Sequence, residues 1–215
     1  FLKLISGLLS FESLSGTIAW DAKNISAMER TEIARQIAFV PGSFVPKFGV
    51  TVEEFILQSR FAFGSIFSKP TSADYLATCT AMKKTGIENL CSRLITELSS
   101  GQLQLVLLSR ALAQTPKVLL LDEITANLDL NFQGMVYELL AKENKDHGTT
   151  VILVSHDLNL AAEFSPNLVW MNEGRILASG STKEMMNDEI INHLYGAHLK
   201  IGENPFTKKP KAFYM

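Results

Sequence analysis

Short apolar runs separated by longer amphipathic segments predict an α/β fold. Residues 118–121 are four consecutive aliphatic side chains without period-two alternation, which is typical of a parallel strand covered by helices on both faces. Residues 37–40 and 150–154 are apolar runs that also predict strands, and residues 130–145 predict a helix. Strand, helix and strand in this order form a βαβ unit, so we expect a mostly parallel sheet.

The region from about residue 51 to residue 115, between the strands at 37–40 and 118–121, lacks strand signals and predicts helices. Thr51 is placed to cap a helix that has Glu53 and Glu54 in its first turn, where acidic side chains favour the helix dipole. A second helix is predicted to start at residue 99 or 100 and to end at residue 113. Its spacing predicts one buried face, formed by Leu103, Val106, Leu107, Arg110 and Ala111.

Weaker sequence patterns predict the secondary structure at the two ends of the chain. Residues 1–9 predict a helix, and residues 16–20 predict a strand after a turn rich in Ser and Gly. Residues 168–178 predict a β-hairpin, because two apolar runs flank the turn-forming tripeptide at 172–174. The Lys- and Pro-rich stretch from Gly202 to Met215 predicts a partly ordered tail.

Composition excludes several classes of protein. With 215 residues, 47% hydrophobic and 20% charged, the chain is an ordinary globular protein rather than a disordered one. A net charge of −2 gives no broad footprint for nucleic acid, so we expect no nucleic-acid partner. Cys79 and Cys91 lack zinc-site spacing and predict buried thiols. No apolar stretch approaches the roughly 18 residues that span a bilayer, and the pattern indicates a cytoplasmic protein.

Two adjacent acids follow the central apolar run. Asp122 and Glu123 fall at the carboxyl end of the predicted strand, the edge where ligands bind in open α/β sheets. Adjacent carboxylates there suit a Mg²⁺ ligand beside a base that orients water. A solvated strand-to-loop junction would have the same sequence.

Two further polar segments have both a structural and a functional interpretation. Residues 99–102 place serine and exposed N–H groups at a helix start, which makes an anion site, although an ordinary serine N-cap is the simpler explanation of the segment taken alone. His156 lies between Ser155 and Asp157 and is either a ligand-binding imidazole or a surface histidine between two capping residues.

Four short motifs occur in a fixed order and resemble those of the nucleotide-binding subunits of ATP-binding cassette (ABC) transporters. Leu98-Ser99-Ser100-Gly101-Gln102 resembles the LSGGQ signature, with Ser100 in place of the first glycine. Asp122-Glu123 resembles the Walker B pair, and Thr125-Ala126-Asn127-Leu128-Asp129 resembles the D-loop that follows it. Ser155-His156-Asp157 resembles the switch-histidine segment. The resemblance implies a P-loop NTPase (RecA-like) fold whose mostly parallel sheet has an inserted helical subdomain.

The resemblance also implies roles for these residues toward ATP and Mg²⁺. Asp122 would hold Mg²⁺, Glu123 would polarise the attacking water, and His156 would contact the γ-phosphate. Ser99 and Gly101 would contact nucleotide that is bound mainly by a second, head-to-tail copy of the chain. Ser100, Gln102 and Asp129 are the other residues expected to bind the nucleotide.

The resemblance predicts one ABC ATPase domain over residues 1–215. Its RecA-like core covers about 1–48 and 116–190, its helical subdomain about 49–115 and its tail about 191–215. The first residues resemble the helix that follows the phosphate-binding loop, and no GxxxxGK(S/T) motif occurs in these residues. We therefore expect the domain to be N-terminally incomplete.

Besides Ser100, three positions depart from the family pattern. Gly42 follows Pro41 where the family has a glutamine that reaches Mg²⁺ and the attacking water. A turn that needs backbone freedom is the simple explanation of a glycine there. Leu103 and Leu105 replace polar or basic residues of the signature helix.

The resemblance implies a transport motor on the cytoplasmic face of the plasma membrane. It would bind permease subunits through residues 51–86, which include Phe55, Phe61, Phe63 and Phe67, although core packing explains most of these rings. A substrate-binding protein would be an indirect partner. The segments around residues 155–162 and 195–207 look most like importers of iron–siderophore, haem or cobalamin. The alternatives are a non-hydrolysing regulatory or remnant cassette and a soluble, non-transport ABC ATPase.

Overall fold

A computed structural model describes residues 1–9, 16–64, 69–126, 128–195 and 198–214. The chain divides into two compact units, Phe1–Val154 and Ser155–Met215. Each unit has its own cluster of buried apolar side chains. No helix in these ranges has the length and apolar character needed to cross a bilayer.

The first unit contains helices and strands in alternation. Its helices are α1 (Leu2–Ile5), α2 (Arg30–Gln36), α3 (Val52–Leu57), α4 (Ser72–Thr85), α5 (Ser100–Ala113) and α6 (Leu130–His147). Its strands are β1 (Ala19–Trp20), β2 (Lys23–Asn24), β3 (Ile37–Val40), β4 (Val118–Asp122) and β5 (Thr150–Val154). Short 3₁₀ helices cover Ile25–Ala27, Gln58–Phe63, Glu88–Leu90 and Ile95–Glu97.

A parallel sheet with the strand order β3-β4-β5 forms the centre of this unit. Leu119, Leu120 and Leu121 of β4 are 0% exposed, and burying each of them contributes about 1.5–3 kcal/mol. Leu119 and Leu121 belong to one apolar cluster, whereas Leu120 belongs to another, because successive side chains point to opposite faces. The predicted strand covered on both faces is confirmed.

Capping boxes start the helices between β3 and β4. Thr51 accepts a hydrogen bond from the N–H of Glu54, whose carboxylate accepts one from the N–H of Thr51, which confirms the predicted cap. Thr71 and Asp74 form the same box at the start of α4. Each box satisfies N–H groups that no intrahelical carbonyl can reach.

Helix α5 is buried more widely than the sequence predicts. Val106, Leu107 and Ala111 are buried as expected, whereas Leu103 and Arg110 are only partly buried. Further positions on other sides of the helix are also buried, and they are Gln104, Leu105, Leu108, Ser109, Leu112 and Ala113. The predicted single face was too narrow, because α5 packs against α3, α4 and β3.

Asp74 links its capping box to the rest of the helical region, and it gives stability a pH dependence. The N–H and hydroxyl of Thr71 hold the pKa of Asp74 below its usual value, and Arg60 at 3.0 Å acts in the same direction. Arg60 also donates to the carbonyl of Ala113 at the end of α5. A lowered folded-state pKa stabilises the protein above the unfolded pKa of about 4, and that contribution is lost as the pH falls through the folded pKa.

We expect Asp74→Asn to lower the free energy of unfolding at pH 7 and to reduce its decline below about pH 4. Urea unfolding of both proteins between pH 7 and pH 3 measures this difference. Asp146→Asn, at an exposed position of α6, is the control and should leave the pH profile unchanged. Parallel profiles for wild type and Asp74→Asn would contradict the expectation.

The second unit contains α7 (Leu158–Phe164), β6 (Asn167–Asn172), β7 (Arg175–Ser181), α8 (Thr182–Met185), α9 (Asp188–Tyr195), β8 (Leu199–Glu203) and β9 (Pro210–Tyr214). Strands β6 and β7 pair antiparallel around Glu173 and Gly174, both at positive φ, which confirms the predicted hairpin. Strands β8 and β9 form a second hairpin.

The second hairpin corrects the prediction of a partly ordered tail from Gly202. Asn159 of α7 donates to the carbonyl of Ala212 and accepts from its N–H, while Glu163 accepts from Asn204 and Thr207. These contacts join residues more than 40 positions apart, so the local Lys- and Pro-rich composition does not reveal them.

Two other local predictions were wrong. The helix expected over residues 1–9 ends at Ile5, because Gly7 adopts the left-handed conformation at φ +70°. Cys79 and Cys91 are exposed rather than buried. Cys79 lies beside, and not on, the α4 face that buries residues 78, 81, 82 and 85. Of the strand expected over 16–20, Ala19–Trp20 pairs with β2.

Candidate functional site

The carboxyl end of β4 presents two adjacent carboxylates, as predicted. Asp122 is the last residue of the strand and pairs with Val154 of β5. Glu123 follows it, and its N–H donates to the carbonyl of Val154 at 3.0 Å. Both acids are partly buried. The parallel ladder therefore fixes the backbone from which both side chains project.

Glu123 has an unusual backbone conformation. Its φ is +51°, in the left-handed region that costs a non-glycine residue about 1–2 kcal/mol. Strain of this kind persists where the surrounding structure imposes it, and it concentrates at functional sites. The turn after β4 thus holds the Glu123 carboxylate in a direction that a continued strand would not give.

Gly42 lies directly against this strand end. A Cβ atom built on Gly42 would lie 2.6 Å from the backbone oxygen of Asp122 and 3.5 Å from the Cβ of Glu123. The first distance is shorter than any van der Waals contact, so a side chain at position 42 would require the backbone to move. Glycine allows the loop after β3 to pack directly on the acidic pair.

The start of α5 is a reciprocal capping box. Ser99 Oγ accepts from the N–H of Gln102 at 3.3 Å, and Gln102 Oε1 accepts from the N–H of Ser99 at 3.1 Å. The simple N-cap interpretation is therefore confirmed for Ser99 and Gln102. Ser100 and Gly101 occupy the first turn, where N–H groups have no intrahelical acceptor. Ser99 and Ser100 are exposed, so the helix start remains accessible to an anion.

Asp129 caps the next helix. Its Oδ1 accepts from the N–H groups of Asn131 and Phe132, each at 3.1 Å, and α6 begins at Leu130 as predicted. Asn127 of the D-loop-like segment lies outside the described residues. Capping accounts for the carboxylate of Asp129 in this structure.

His156 belongs to the second unit, in the turn before α7. Ser155 Oγ accepts from the N–H of Asp157, and Asp157 Oδ1 accepts from the N–H of Leu160. His156 lies between these two capping residues and is exposed. The two caps fix the backbone on either side of the imidazole.

The acidic pair has the right chemistry for a cation that arrives with phosphates. Within the described ranges, no three His, Cys, Asp or Glu side chains form a group that could hold a metal. Mg²⁺ prefers one or two carboxylates together with substrate phosphates and water, rather than an all-protein cage. Asp122 and Glu123 fit a magnesium–nucleotide complex in this way.

Comparisons with known proteins agree with this geometry. The family model described as "ABC transporter" matches residues 1–126. The iron(3+)-hydroxamate import ATP-binding protein FhuC of Bacillus subtilis (strain 168) is 34% identical over 209 residues, which are 97% of this chain and 77% of that protein. The chain belongs to the ABC transporter family. It is an ABC-type ATPase subunit, and ATP is its nucleotide.

Other proteins similar to this ABC cassette also belong to transport systems. The ferric enterobactin transport ATP-binding protein FepC of Escherichia coli (strain K12) is 32% identical over 91% of this chain and 72% of its own length. A metal-chelate type ABC transporter solved in an inward-facing conformation is 28% identical, with a TM-score of 0.76 over 84% of this chain and 71% of that one. The predicted P-loop NTPase cassette fold is thereby confirmed.

Sequence reasoning missed two features of this ABC cassette. The first is the left-handed conformation of Glu123, for which an acidic residue after a strand gives no local signal. The second is Gln104, which is 5% exposed and donates to the carbonyl of Pro41. Its signal was a polar residue inside the apolar run of α5.

Proposed function

We propose that this cassette hydrolyses MgATP and thereby powers an importer of iron–siderophore, haem or cobalamin. One observation supports hydrolysis above all: two carboxylates end the buried strand β4, and the second is held at φ +51°. Such an arrangement suits one acid for a metal and the next for a water molecule.

Each residue of the proposed site has a distinct task. Asp122 would hold Mg²⁺, which when bound would neutralise negative charge on the phosphates of the nucleotide. Glu123 orients the attacking water and accepts its proton. His156 donates a hydrogen bond to the γ-phosphate. Catalysis of this kind consists of positioning and electrostatic stabilisation.

The remaining site residues serve a nucleotide shared with a second copy of the chain. In a head-to-tail pair, the N–H groups of Ser100 and Gly101 and the hydroxyl of Ser99 point at phosphates held mainly by the partner. An anion at a helix N-terminus is favoured by the dipole and by the free N–H groups of the first turn. Gln102 keeps Ser99 in place through the capping box, and Asp129 fixes the segment that follows the acids.

The helical region is the proposed contact with the permease. Phe61 is 61% exposed and Phe63 is 37% exposed, so both can meet an apolar partner surface. Phe55 is 7% exposed and belongs to the core, and Phe67 lies outside the described residues. Binding through the permease would place the cassette on the cytoplasmic face of the membrane, with a substrate-binding protein as an indirect partner.

Relatives support the choice of cargo. FhuC and FepC are named for iron(3+)-hydroxamate import and ferric enterobactin transport, and the BtuD of Halobacterium salinarum (strain ATCC 29341 / DSM 671 / R1), 32% identical over 96% of this chain and 51% of its own length, is named for cobalamin import. The cassette itself does not touch cargo, so transport assays must choose among these chelates.

A non-hydrolysing regulatory cassette is the second candidate. Gly42 favours it, because glycine has no side chain with which to reach the metal or the water.

Transport by the complete subunit, assembled with its permease in proteoliposomes, tests the proposal. We expect ATP-dependent uptake of a ferric hydroxamate, haem or cobalamin, and a fall of about 100-fold or more in ATP hydrolysis for Asp122→Asn. Asp146→Asn, the same change at an exposed position of α6, should keep full activity. A wild-type complex that binds ATP without hydrolysing it would favour the regulatory cassette instead.

A further inference from the structure

Gln104 is a polar side chain in a position that the fold otherwise gives to apolar ones. It is 5% exposed, and its Nε2 donates to the carbonyl of Pro41 at 3.3 Å, across 63 positions of sequence. Leu105 and Val106, which follow it in α5, are buried apolar residues. A buried amide is costly unless it is hydrogen-bonded, so the contact with Pro41 defines where this side chain can lie.

The acceptor of this bond lies next to the acidic pair. Pro41 precedes Gly42, whose backbone packs so closely on β4 that a Cβ atom there would meet the oxygen of Asp122 at 2.6 Å. Because position 42 has no side chain that could adjust, a displacement of Pro41 passes directly to the backbone of Asp122 and Glu123. Close-packed contacts of this kind transmit small shifts.

The other end of the connection is the start of α5. Gln104 is five residues after the N-cap Ser99, which is about 7.5 Å along a helix that rises 1.5 Å per residue. The helix is rigid over this distance, so a shift of its N-terminus moves Gln104 and the Pro41 carbonyl with it. The path Ser99, Gln104, Pro41, Gly42 and Asp122 lies entirely within the first unit.

We propose that Gln104 is a positioning residue that couples the two nucleotide sites of the paired cassette, an inference that rests on the proposed function. Nucleotide held by the partner contacts the Ser99 end of α5, and the hydrogen bond to Pro41 sets the position of Gly42 against the acids that serve the chain's own nucleotide. Coupling of this kind makes ATP hydrolysis cooperative in ATP concentration, with a Hill coefficient between 1 and 2 for two sites.

The test removes one side-chain hydrogen bond at a time from helix α5. Gln104→Met keeps the length of the side chain and removes the donor. Gln114→Met is the matched control, because Gln114 is the C-cap residue of α5 and its Nε2 donates to the carbonyl of Ala34 at 3.1 Å, away from the acids. Both variants are made in the complete subunit assembled with its permease, and their melting temperatures show whether each one folds.

We expect Gln104→Met to lower kcat about tenfold and to reduce the Hill coefficient to about 1. Amide hydrogen exchange at residues 42–44 and 122–124 should become about fivefold faster, as expected for the loss of one hydrogen bond. Gln114→Met should change neither the Hill coefficient nor exchange at these residues.

Four outcomes test the positioning role of Gln104 and the proposed function. Equal Hill coefficients and equal exchange in the two variants would overturn the proposal and make the Gln104 bond purely structural. Faster exchange with an unchanged Hill coefficient would overturn it as well, because the contact would then be local. A wild-type complex without ATP hydrolysis would count against the proposed function, while unaltered exchange in Gln104→Met would separately refute the positioning role.

Discussion

Replacing Glu123 by glutamine is expected to lower the rate of ATP hydrolysis by about 10²–10⁴-fold, the usual contribution of a general base. Glutamine keeps the shape of the side chain and has no carboxylate to accept a proton from water. Asp122 keeps its place at the end of β4, so Mg²⁺ and ATP should still bind. The ATP-bound head-to-tail pair should therefore accumulate, and size-exclusion chromatography with and without MgATP measures this.

The matched control for this variant is Glu173→Gln. Glu173 has φ +49° and Glu123 has φ +51°, so both substitutions make the same chemical change at the same kind of strained backbone. Glu173 lies in the turn between β6 and β7 and is exposed. Turnover of this control should stay within about twofold of wild type, as for most surface substitutions. Wild-type turnover in Glu123→Gln would reject the role of Glu123 as the base.

Features that depend on neighbours in sequence could be predicted from the sequence. The unbroken apolar run before Asp122 identified β4, and the caps at Thr51 and Ser99 located the starts of two helices, because a capping side chain bonds to N–H groups two or three residues ahead. Asp122 and Glu123 were placed correctly at the sheet edge because they follow this apolar run directly in the sequence.

Features that depend on contacts between distant segments could not be predicted. Neither the hairpin of β8 and β9 nor the choice of Pro41 as the acceptor for Gln104 has a local signal. The left-handed backbone of Glu123 is imposed by the ladder to Val154 and by the turn that follows. The burial of α5 on several sides depends on its packing against α3, α4 and β3. The spacing of apolar residues on one helix face does not reveal these contacts.

Breaking one long-range ion pair is expected to destabilise the first unit. Lys84 of α4 lies 2.6 Å from Glu143 of α6, and Glu143 is 6% exposed while the Lys84 side chain is 31% exposed. Lys84→Met removes the positive charge and keeps most of the length of the side chain. The Glu143 carboxylate is then buried without its cation. We expect a loss of about 3 kcal/mol, the low end of the range for breaking a buried pair, because the lysine is partly solvated. Urea unfolding measures the change.

Lys23→Met and a double variant separate the charge from the packing. Lys23 pairs with Glu32 at 3.1 Å, with side chains 68% and 41% exposed, and breaking such a solvated pair should cost less than about 1 kcal/mol. Lys84→Met combined with Glu143→Leu removes both charges, and stability should return to within about 1 kcal/mol of wild type. An equal loss in Lys84→Met and Lys23→Met would contradict the account, because the cost would then come from the methionine and not from a stranded carboxylate. A double variant as unstable as Lys84→Met would mean that Glu143 contributes through its shape, and that α4 and α6 are joined by packing alone.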